Sequence, residues 1–212
     1  MTASASMGLL PREFYRRDPR EVAPGLLHQV LVAGPCSGLI VEVEAYCGSA
    51  DPASHTFRGP TRRNATMFGP PGHLYVYFTY GMHWCANVVC GDEGEGVAVL
   101  LRALRPLAGV DEMWRRRPAA RRERDLCAGP ARLCQALDLD GGHDGDDLVT
   151  GEEGVGIVAG DVPAPVEVVR TTRVGISAAT DEPWRWYVAG DPNVSRPRAP
   201  QPVGPSGRRG RP

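Results

Sequence analysis

The sequence predicts a single α+β domain built on a curved, mixed but largely antiparallel β-sheet, with a protruding β-hairpin and short surrounding helices. Three apolar or alternating stretches, 39–47, 73–90 and 97–104, have the pattern and length of β-strands. Short segments of helical pattern lie on either side of them, and 212 residues with 42% hydrophobic content are enough for one core. We therefore predict one domain over residues 8–195, followed by a disordered, basic, proline-rich tail over 196–212.

Composition limits the chemistry and the location. All 24 basic residues are arginine, which excludes a lysine imine and the lysine of a phosphate-binding loop. The six cysteines form no Cys-x-x-Cys pair and have no zinc spacing, so we expect buried thiols, no metal and no cofactor. No apolar run approaches the roughly 20 residues that span a bilayer. With no secretory pattern at the N-terminus, we expect a cytoplasmic protein that makes no membrane contact.

Charge is unevenly distributed along the chain. The formal net charge is −1, yet seven of the 25 acidic residues fall in residues 138–153, a segment without arginine. We interpret this glycine-rich segment as a solvated, variable insert, because its spacing does not match a calcium-binding EF-hand loop. The rest of the chain then has an excess of arginine, which is typical of proteins with a nucleic-acid partner.

Two early segments carry polar residues in structured positions. Asp18-Pro19 predicts a helix start, and strands are predicted over 28–33 and 39–47. Alternation in the second strand places Glu42, Glu44 and Tyr46 on one face. The simplest interpretation is a half-exposed strand with glutamates in water, but the tyrosine on that face favours a functional alternative. Asp51-Pro52 predicts a helical turn that continues to His55.

Residues 73–90 predict the hairpin. A two-residue turn at Gly81-Met82 would pair Val76 with Asn87 and bury an amide among apolar side chains, at a cost of about 1–3 kcal/mol if its hydrogen bonds are unmet. A three-residue loop would instead pair Tyr77 with Asn87. We favour the longer loop because it sets an aromatic ring beside the amide.

The remaining segments alternate between strand, helix and basic loop. Arg102 stands in the otherwise apolar strand 97–104, where it must either form a salt bridge or reach an anionic ligand. Residues 56–66 carry three arginines and no acid, which fits either a solvated loop or phosphate contacts from Arg58, Arg62 and Arg63. Helices are predicted over 111–117, 119–126 and 130–137, and short strands over 166–172 and 185–188.

One carboxylate, several aromatic rings and a strand arginine make up the candidate site. Glu44 is the carboxylate, and Glu42 is a poor partner for it in a two-carboxylate glycosidase because it lies nearer the strand start. Aromatic faces that hold a flat ring, an apolar wedge and basic loops are what base flipping requires.

The sequence resembles the alkyladenine (3-methyladenine, methylpurine) DNA glycosylases. The resemblance runs from about residue 9 to 195 and is far more specific than one short motif. It rests on these segments of the chain: Val-Glu-Val-Glu-Ala-Tyr (41–46), Ser54-His55, Arg63-Asn64, Met67-Phe68, Pro-Gly-His-Leu-Tyr-Val-Tyr-Phe-Thr-Tyr-Gly-Met (71–82), Asn87, Val-Leu-Leu-Arg-Ala-Leu-Arg-Pro-Leu-Ala-Gly (99–109), Leu-Cys-Ala-Gly-Pro-Ala-Arg-Leu-Cys-Gln-Ala-Leu (126–137) and Arg-Val-Gly-Ile (173–176).

The resemblance implies a role for each matched residue. Glu44 would be the general base that activates water for attack on the sugar C1′, with Arg102 beside the sugar-phosphate. The implied base pocket is formed by Tyr46, His55, Tyr77 and Asn87, of which Asn87 would discriminate against the exocyclic amine of guanine. At the hairpin tip, Tyr80 and Met82 would fill the gap that the flipped nucleotide leaves.

The resemblance further implies a monomeric bacterial enzyme, associated with the nucleoid, that acts on double-stranded DNA containing damaged purines. Without a lysine, we expect monofunctional hydrolysis and no strand cleavage. Two alternatives stay open: a non-catalytic protein that binds damaged DNA, and a hydrolase of free N-nucleosides. The sequence does not rank the damaged bases.

Overall fold

The fold is an antiparallel sheet with short helices packed against it. The computed structural model describes residues 8–161 and 167–196. Within these ranges the sheet has eight strands, in the order β3-β4-β5-β2-β1-β6, with β8 beside β2 and β7 beside β8. The strands are β1 (Val30–Ala33), β2 (Cys36–Tyr46), β3 (Leu74–Thr79), β4 (His83–Cys90), β5 (Val97–Ala108), β6 (Val155–Val158), β7 (Val168–Thr171) and β8 (Arg185–Val188).

The predicted α+β class is confirmed, whereas the mixed character of the sheet is not seen. Every strand pair in the described ranges is antiparallel. Strand β8 has the predicted bounds, and β6 is a strand that the sequence did not predict. The predicted basic tail lies outside the described residues, except for Arg196.

The long strand β2 is the centre of the sheet, and it is buried on both faces. One edge pairs with β5 along its whole length, while β1 and β8 share the other edge. Glu42 and Glu44 are both 0% exposed, so the simplest interpretation of the pattern, a half-exposed strand with glutamates in water, is wrong. The pairing of β2 with β5 skips Val41 on one strand and Arg102 on the other. Such bulges re-aim side chains and recur beside active sites.

The hairpin of β3 and β4 protrudes from the sheet edge. Its loop has the predicted three residues, but it is Tyr80-Gly81-Met82, so the register differs by two positions from the prediction. Asn87 therefore pairs with Tyr75, and Tyr77 pairs with Cys85. The physical reason is that Tyr80 (φ 51°) and Gly81 (φ 68°) are both left-handed. A tyrosine rarely adopts this conformation, so the sequence did not indicate it.

The helices are short, and two of them pack on the sheet through an apolar stripe. They are α1 (Arg12–Tyr15), α2 (Pro19–Leu26), α3 (Val110–Arg116) and α4 (Pro130–Leu137). Asp18 caps α2 as predicted, since its side chain accepts a hydrogen bond from Arg20 N at 2.7 Å. Helix α4 has the predicted bounds, and its apolar face packs on β4 and β5.

One predicted helix is wrong, because residues 119–126 contain only the 3₁₀ turn Glu123–Asp125. The turn predicted after Asp51 is present, and Ser54 N donates to Asp51 O there at 2.8 Å. The Asp51 side chain accepts hydrogen bonds from Cys47 N (3.2 Å) and Ala53 N (3.0 Å), and it therefore stabilises this local turn.

The acidic segment is a packed element, which corrects its interpretation as a solvated insert. Leu139 and Leu148 are buried in the core. The segment runs along the free edge of β3, where Asp144 Oδ1 accepts from Val76 N at 3.0 Å and the backbone of residues 145–146 exchanges two hydrogen bonds with Leu74. Polar composition gave no sign of this pairing.

Candidate active site

A cleft of about 450 Å³ opens between the hairpin, the turns that carry His55 and the loop after β7. Aromatic and polar side chains line it. They are Tyr46, His55, Tyr75, Tyr77, Tyr80, Asn87 and Arg102, together with Pro52–Ser54, Met67, Thr79, Cys85, Leu100, Pro130 and Val174–Ala178. Six predicted site residues thus line one cleft. Five of them are Tyr46, His55, Tyr77, Asn87 and Arg102, and the sixth, Tyr80, borders the cleft from the hairpin loop.

Glu44 is buried behind the cleft wall, and its carboxylate is hydrogen-bonded to three residues that line the cleft. Its carboxylate accepts hydrogen bonds from the Tyr46 hydroxyl (3.1 Å), from Arg102 Nη1 (3.0 Å) and from the backbone N–H of Val174 (2.8 Å). Burial raises the pKa of Glu44 and outweighs the opposing effects of Arg102, Val174 and Tyr46. A carboxylate with a raised pKa next to a cleft is a candidate general base.

Glu42 has a different environment, although it is only two residues away. It accepts hydrogen bonds from Arg102 Nε (2.9 Å), Arg185 Nε (2.7 Å) and both the backbone N–H and the hydroxyl of Ser195 (2.6 and 2.8 Å). Burial alone would raise its pKa, but the two arginines and Ser195 hold the pKa below the ordinary value. Glu42 is therefore an anchor for Arg102 and Arg185.

Arg102 joins the two carboxylates. It forms salt bridges within the fold, which is one of the two alternatives that the sequence left open, and its remaining nitrogen, Nη2, donates to Ser195 Oγ at 3.3 Å. The bulge at this position directs the side chain toward the β2 glutamates. Its guanidinium also borders the cleft, so it can stabilise negative charge there while holding Glu44.

The aromatic side chains form a cluster on one side of the cleft. The His55 ring meets Tyr77 edge-on with centroids 4.4 Å apart, and Tyr75 stacks on Tyr77 at 5.5 Å. His55 Nδ1 lies 3.2 Å from the Tyr75 hydroxyl. Partial desolvation and the nearby Arg63 lower the pKa of His55, which favours the neutral imidazole. Tyr75 was not singled out by the sequence, although it shares a strand face with Tyr77.

Asn87 lies on β4 at the floor of the cleft, and Nδ2 of its side chain donates to Tyr75 O at 3.2 Å. This bond does not use the amide oxygen. Asn87 is 5% exposed, so water cannot replace a missing partner. A ligand group that contacts the amide without forming a hydrogen bond therefore loses binding free energy.

The hairpin tip and the arginine loop lie at the surface. Tyr80 is 82% exposed and Met82 66% exposed. Arg63 donates to Phe78 O at 2.6 Å and lies over the Tyr77 ring, so it braces the hairpin. Arg58 and Arg62 are exposed, with no contact that assigns them a role.

A second cleft of about 540 Å³ adjoins the first and shares Arg102 and Pro130 with it. Four further arginines line this groove: Arg122, Arg124, Arg132 and Arg196. With Arg102, five arginines and one acid, Asp125, line this groove, which is therefore strongly basic.

Other features carry less chemistry. The six cysteines are unpaired, and in the part of the chain that the structure describes no group of three or more His, Cys, Asp or Glu residues could hold a metal ion. Likewise, no helix within these residues is both long and apolar enough to cross a membrane.

Comparison with known proteins gives one consistent family. The family model described as methylpurine-DNA glycosylase matches residues 13–192. A relative from Burkholderia lata is 55% identical over 190 residues, covering 89% of this chain and 92% of its own. A Streptomyces avermitilis relative is 46% identical over 95% of this chain and 98% of its own, and one from Carboxydothermus hydrogenoformans is 48% identical over 89% and 99%. Each bears the provisional name 3-methyladenine DNA glycosylase.

Proposed function

This chain belongs to the methylpurine-DNA glycosylase family, and from that premise we propose that it is a monofunctional DNA glycosylase. It flips alkylated or deaminated purines out of duplex DNA, hydrolyses the N-glycosidic bond and so initiates base excision repair. The observation that carries the proposal is a single carboxylate, Glu44, buried at the wall of an aromatic cleft and bonded to three of the residues that line it.

Glu44 acts as the general base. It accepts a proton from a water molecule as the water oxygen bonds to the sugar C1′, and the electron pair of the glycosidic bond leaves with the purine. Arg102 and the Val174 N–H orient the carboxylate and favour its ionised form against the effect of burial, and its negative charge stabilises the oxocarbenium-like transition state.

A single carboxylate suffices for an alkylated purine. Alkylation at N3 or N7 makes the base cationic, so it leaves as a neutral molecule without a strong acid to protonate it. The chain has no lysine to form an imine with the sugar, and the expected product is therefore an intact strand with an abasic site.

The cleft binds the flipped base between Tyr46 and the cluster of His55 and Tyr77. Each base–aromatic contact contributes about 1–3 kcal/mol. A neutral His55 adds no positive charge against a cationic purine. The Asn87 amide discriminates against the exocyclic amine of guanine, because it is almost fully buried and penalises a group that it cannot pair with.

The hairpin tip and the basic surfaces bind duplex DNA. Tyr80 enters the stack where the nucleotide has left, with Met82 beside it, which offsets an unstacking cost of a few kcal/mol. The arginine groove adjoins the base cleft and attracts the phosphate backbone, and Arg58 and Arg62 extend the basic surface. We propose that the protein acts as a monomer, at the bacterial nucleoid where its substrate lies.

The deciding experiment follows free base. Duplex DNA treated with a methylating agent, and a duplex with one ethenoadenine, are incubated with wild-type protein and with Glu44→Gln, and released bases are separated by chromatography. We expect release by the wild type and a loss of about 10²–10⁴-fold in the variant. No release by the wild type, or equal release by both proteins, would contradict the proposal.

A second variant separates base flipping from hydrolysis of free nucleosides. Tyr80 lies at the exposed hairpin tip and borders the cleft, and only duplex DNA has a base stack for this side chain to enter. Tyr80→Ala should reduce release from duplex DNA by about 10- to 100-fold through the lost wedge. Phe78→Ala, an exposed aromatic change on the same hairpin, is the matched control. Undiminished release by Tyr80→Ala would favour the nucleoside hydrolase.

A further inference from the structure

An ion pair behind the cleft connects the parts that the proposed function needs. Arg173 Nη1 and Nη2 donate to the two oxygens of Asp51 at 2.5 and 2.8 Å, and both side chains are 0% exposed. We propose that Arg173 and Asp51 are a positioning pair that fixes both walls of the base slot and the hydrogen bond that holds Glu44. This inference rests on the proposed function and adds two residues to its machinery.

The first contact is with Tyr46, one wall of the slot. The Arg173 guanidinium lies 4.8 Å from the Tyr46 ring centroid and 5.0 Å from that of Trp184, so it stacks with both rings. A guanidinium on one face of Tyr46 leaves only the other face for a purine. Arg173 Nη1 also donates to Ala45 O at 3.0 Å, which fixes the backbone immediately before this tyrosine.

The second contact is with the opposite wall. Asp51 accepts from Cys47 N at the end of β2 and from Ala53 N at the start of the turns that carry His55. Its carboxylate therefore ties the strand that bears Glu44 and Tyr46 to the segment that bears His55. Residues Pro52–Ser54 of this segment line the cleft.

The third contact reaches the candidate base itself. Val174 follows Arg173 in the chain, and its N–H donates to Glu44 Oε1 at 2.8 Å. The Arg173 side chain contacts Asp51, two backbone carbonyls (Ala45 O and Ala179 O) and the rings of Tyr46 and Trp184, so the adjacent peptide has little freedom to move. Loss of the pair would therefore displace a hydrogen bond that both orients Glu44 and favours its ionised form.

A purely structural role makes a different prediction. Buried ion pairs often contribute no more stability than apolar residues of the same shape, so a stabilising role alone would tolerate a neutral replacement without loss of activity. A positioning role requires the planar, bidentate guanidinium. Lysine retains the charge beside Asp51 but provides neither the flat stack on Tyr46 nor the paired hydrogen bonds.

The test compares Arg173→Lys with the wild type and with Arg105→Lys, a matched control whose ion pair with Asp191 lies outside the cleft. Three quantities are measured: the single-turnover rate of release from alkylated duplex, the affinity for a duplex with ethenoadenine, and the affinity for a duplex with a tetrahydrofuran abasic analogue. The analogue has no base, so it does not engage the slot.

We expect Arg173→Lys to slow release about 10- to 100-fold, the scale of a misplaced catalytic group. Its preference for ethenoadenine duplex over the abasic analogue should fall, its affinity for the analogue should not change, and the acid limb of its pH–rate profile should move to higher pH. Arg105→Lys should match the wild type in all of these. If Arg173→Lys does not fold, the neutral pair Asp51→Asn with Arg173→Met provides the same comparison.

The outcomes separate the inference from the function on which it rests. Wild-type release with an unchanged rate and preference in Arg173→Lys would overturn the positioning pair alone. A slower release that comes with weaker binding of the analogue and a lower melting temperature would also overturn it, because the pair would then act only on stability. If the wild type releases no base, the proposed function fails, and the ethenoadenine preference still decides whether the pair shapes the slot.

Discussion

Glu42 and Glu44 lie two residues apart on one strand, are both fully buried and both contact Arg102, yet their environments differ. Glu42 receives two arginines and both donors of Ser195, none of which except Arg102 borders the base cleft. Glu44 receives one arginine, one peptide N–H and one phenol, all from residues that line it. Two arginines and Ser195 lower the pKa of Glu42 in spite of its burial, whereas burial raises the pKa of Glu44.

Two glutamates on the same strand face can therefore have different roles: Glu42 stabilises the fold, and Glu44 is placed for the proposed chemistry. The difference is set by what surrounds each carboxylate, and the surrounding groups come from distant parts of the chain. Substitutions at the two positions should therefore have opposite effects on stability and on activity.

The largest effect is expected from Glu44→Gln. Replacing the carboxylate by an amide keeps the shape of the side chain and removes the general base, so release of alkylated purine should fall by about 10²–10⁴-fold. Because ionisation of a group with a raised pKa costs the folded state free energy, the melting temperature near neutral pH should equal or exceed that of the wild type. Thermal unfolding and base release on the same preparation test both statements, and a clear loss of melting temperature would count against them.

Glu42→Gln should show the reverse pattern. It removes the acceptor of two buried arginines and leaves their charge uncompensated, which should cost about 3 kcal/mol of unfolding free energy. Denaturant unfolding measures the loss. At a temperature where the variant stays folded, its release of base should fall less than that of Glu44→Gln, and equal losses would erase the distinction between the two carboxylates.

The pH dependence of stability should also differ in sign. The stability that Glu42 contributes is present above the ordinary glutamate pKa of about 4.3 and is lost as the pH falls through its lowered folded pKa. The contribution of Glu44 is present below that value and is lost as the pH rises through its raised folded pKa. Melting curves between about pH 3 and 8 should thus show the Glu42→Gln deficit shrinking in acid and the relative stability of Glu44→Gln growing toward neutral pH.

The smallest effects come from the two hydroxyls that donate to these carboxylates. Tyr46→Phe removes the bond to Glu44, which should slow release about fivefold and move the acid limb of the pH–rate profile to higher pH. Ser195→Ala removes the bond to Glu42, which should cost about 1 kcal/mol of stability and leave that limb in place. A shifted limb in Ser195→Ala would show that the two carboxylates titrate as one unit.

Local pattern predicted much of the framework. Alternation and helix signals identified β2, the hairpin, α4 and β8, because the residues that specify these elements are near neighbours in the chain. The loop length of the hairpin was predicted, but its register was wrong, since register depended on a left-handed tyrosine. A propensity argument assigns almost no weight to that conformation.

The parts of the site that sequence reasoning missed depend on contacts across long separations. Ser195 bonds to Glu42 across 153 residues, and Arg173 to Asp51 across 122. Both arginine and serine are usually exposed, so their types alone indicate surface positions. Arg173 did fall within a matched segment, Arg-Val-Gly-Ile, which was the one available sign that it matters.

The acidic segment along β3 has a consequence for how the molecule behaves in a crowded compartment. An outer strand with unpaired peptide groups is a template on which strands of other molecules can add. Here the acidic segment already holds Leu74 N, Leu74 O and Val76 N by hydrogen bonds, and Arg63 donates to Phe78 O. The protein can therefore project an aromatic hairpin into solvent without offering that edge as a seed for self-association.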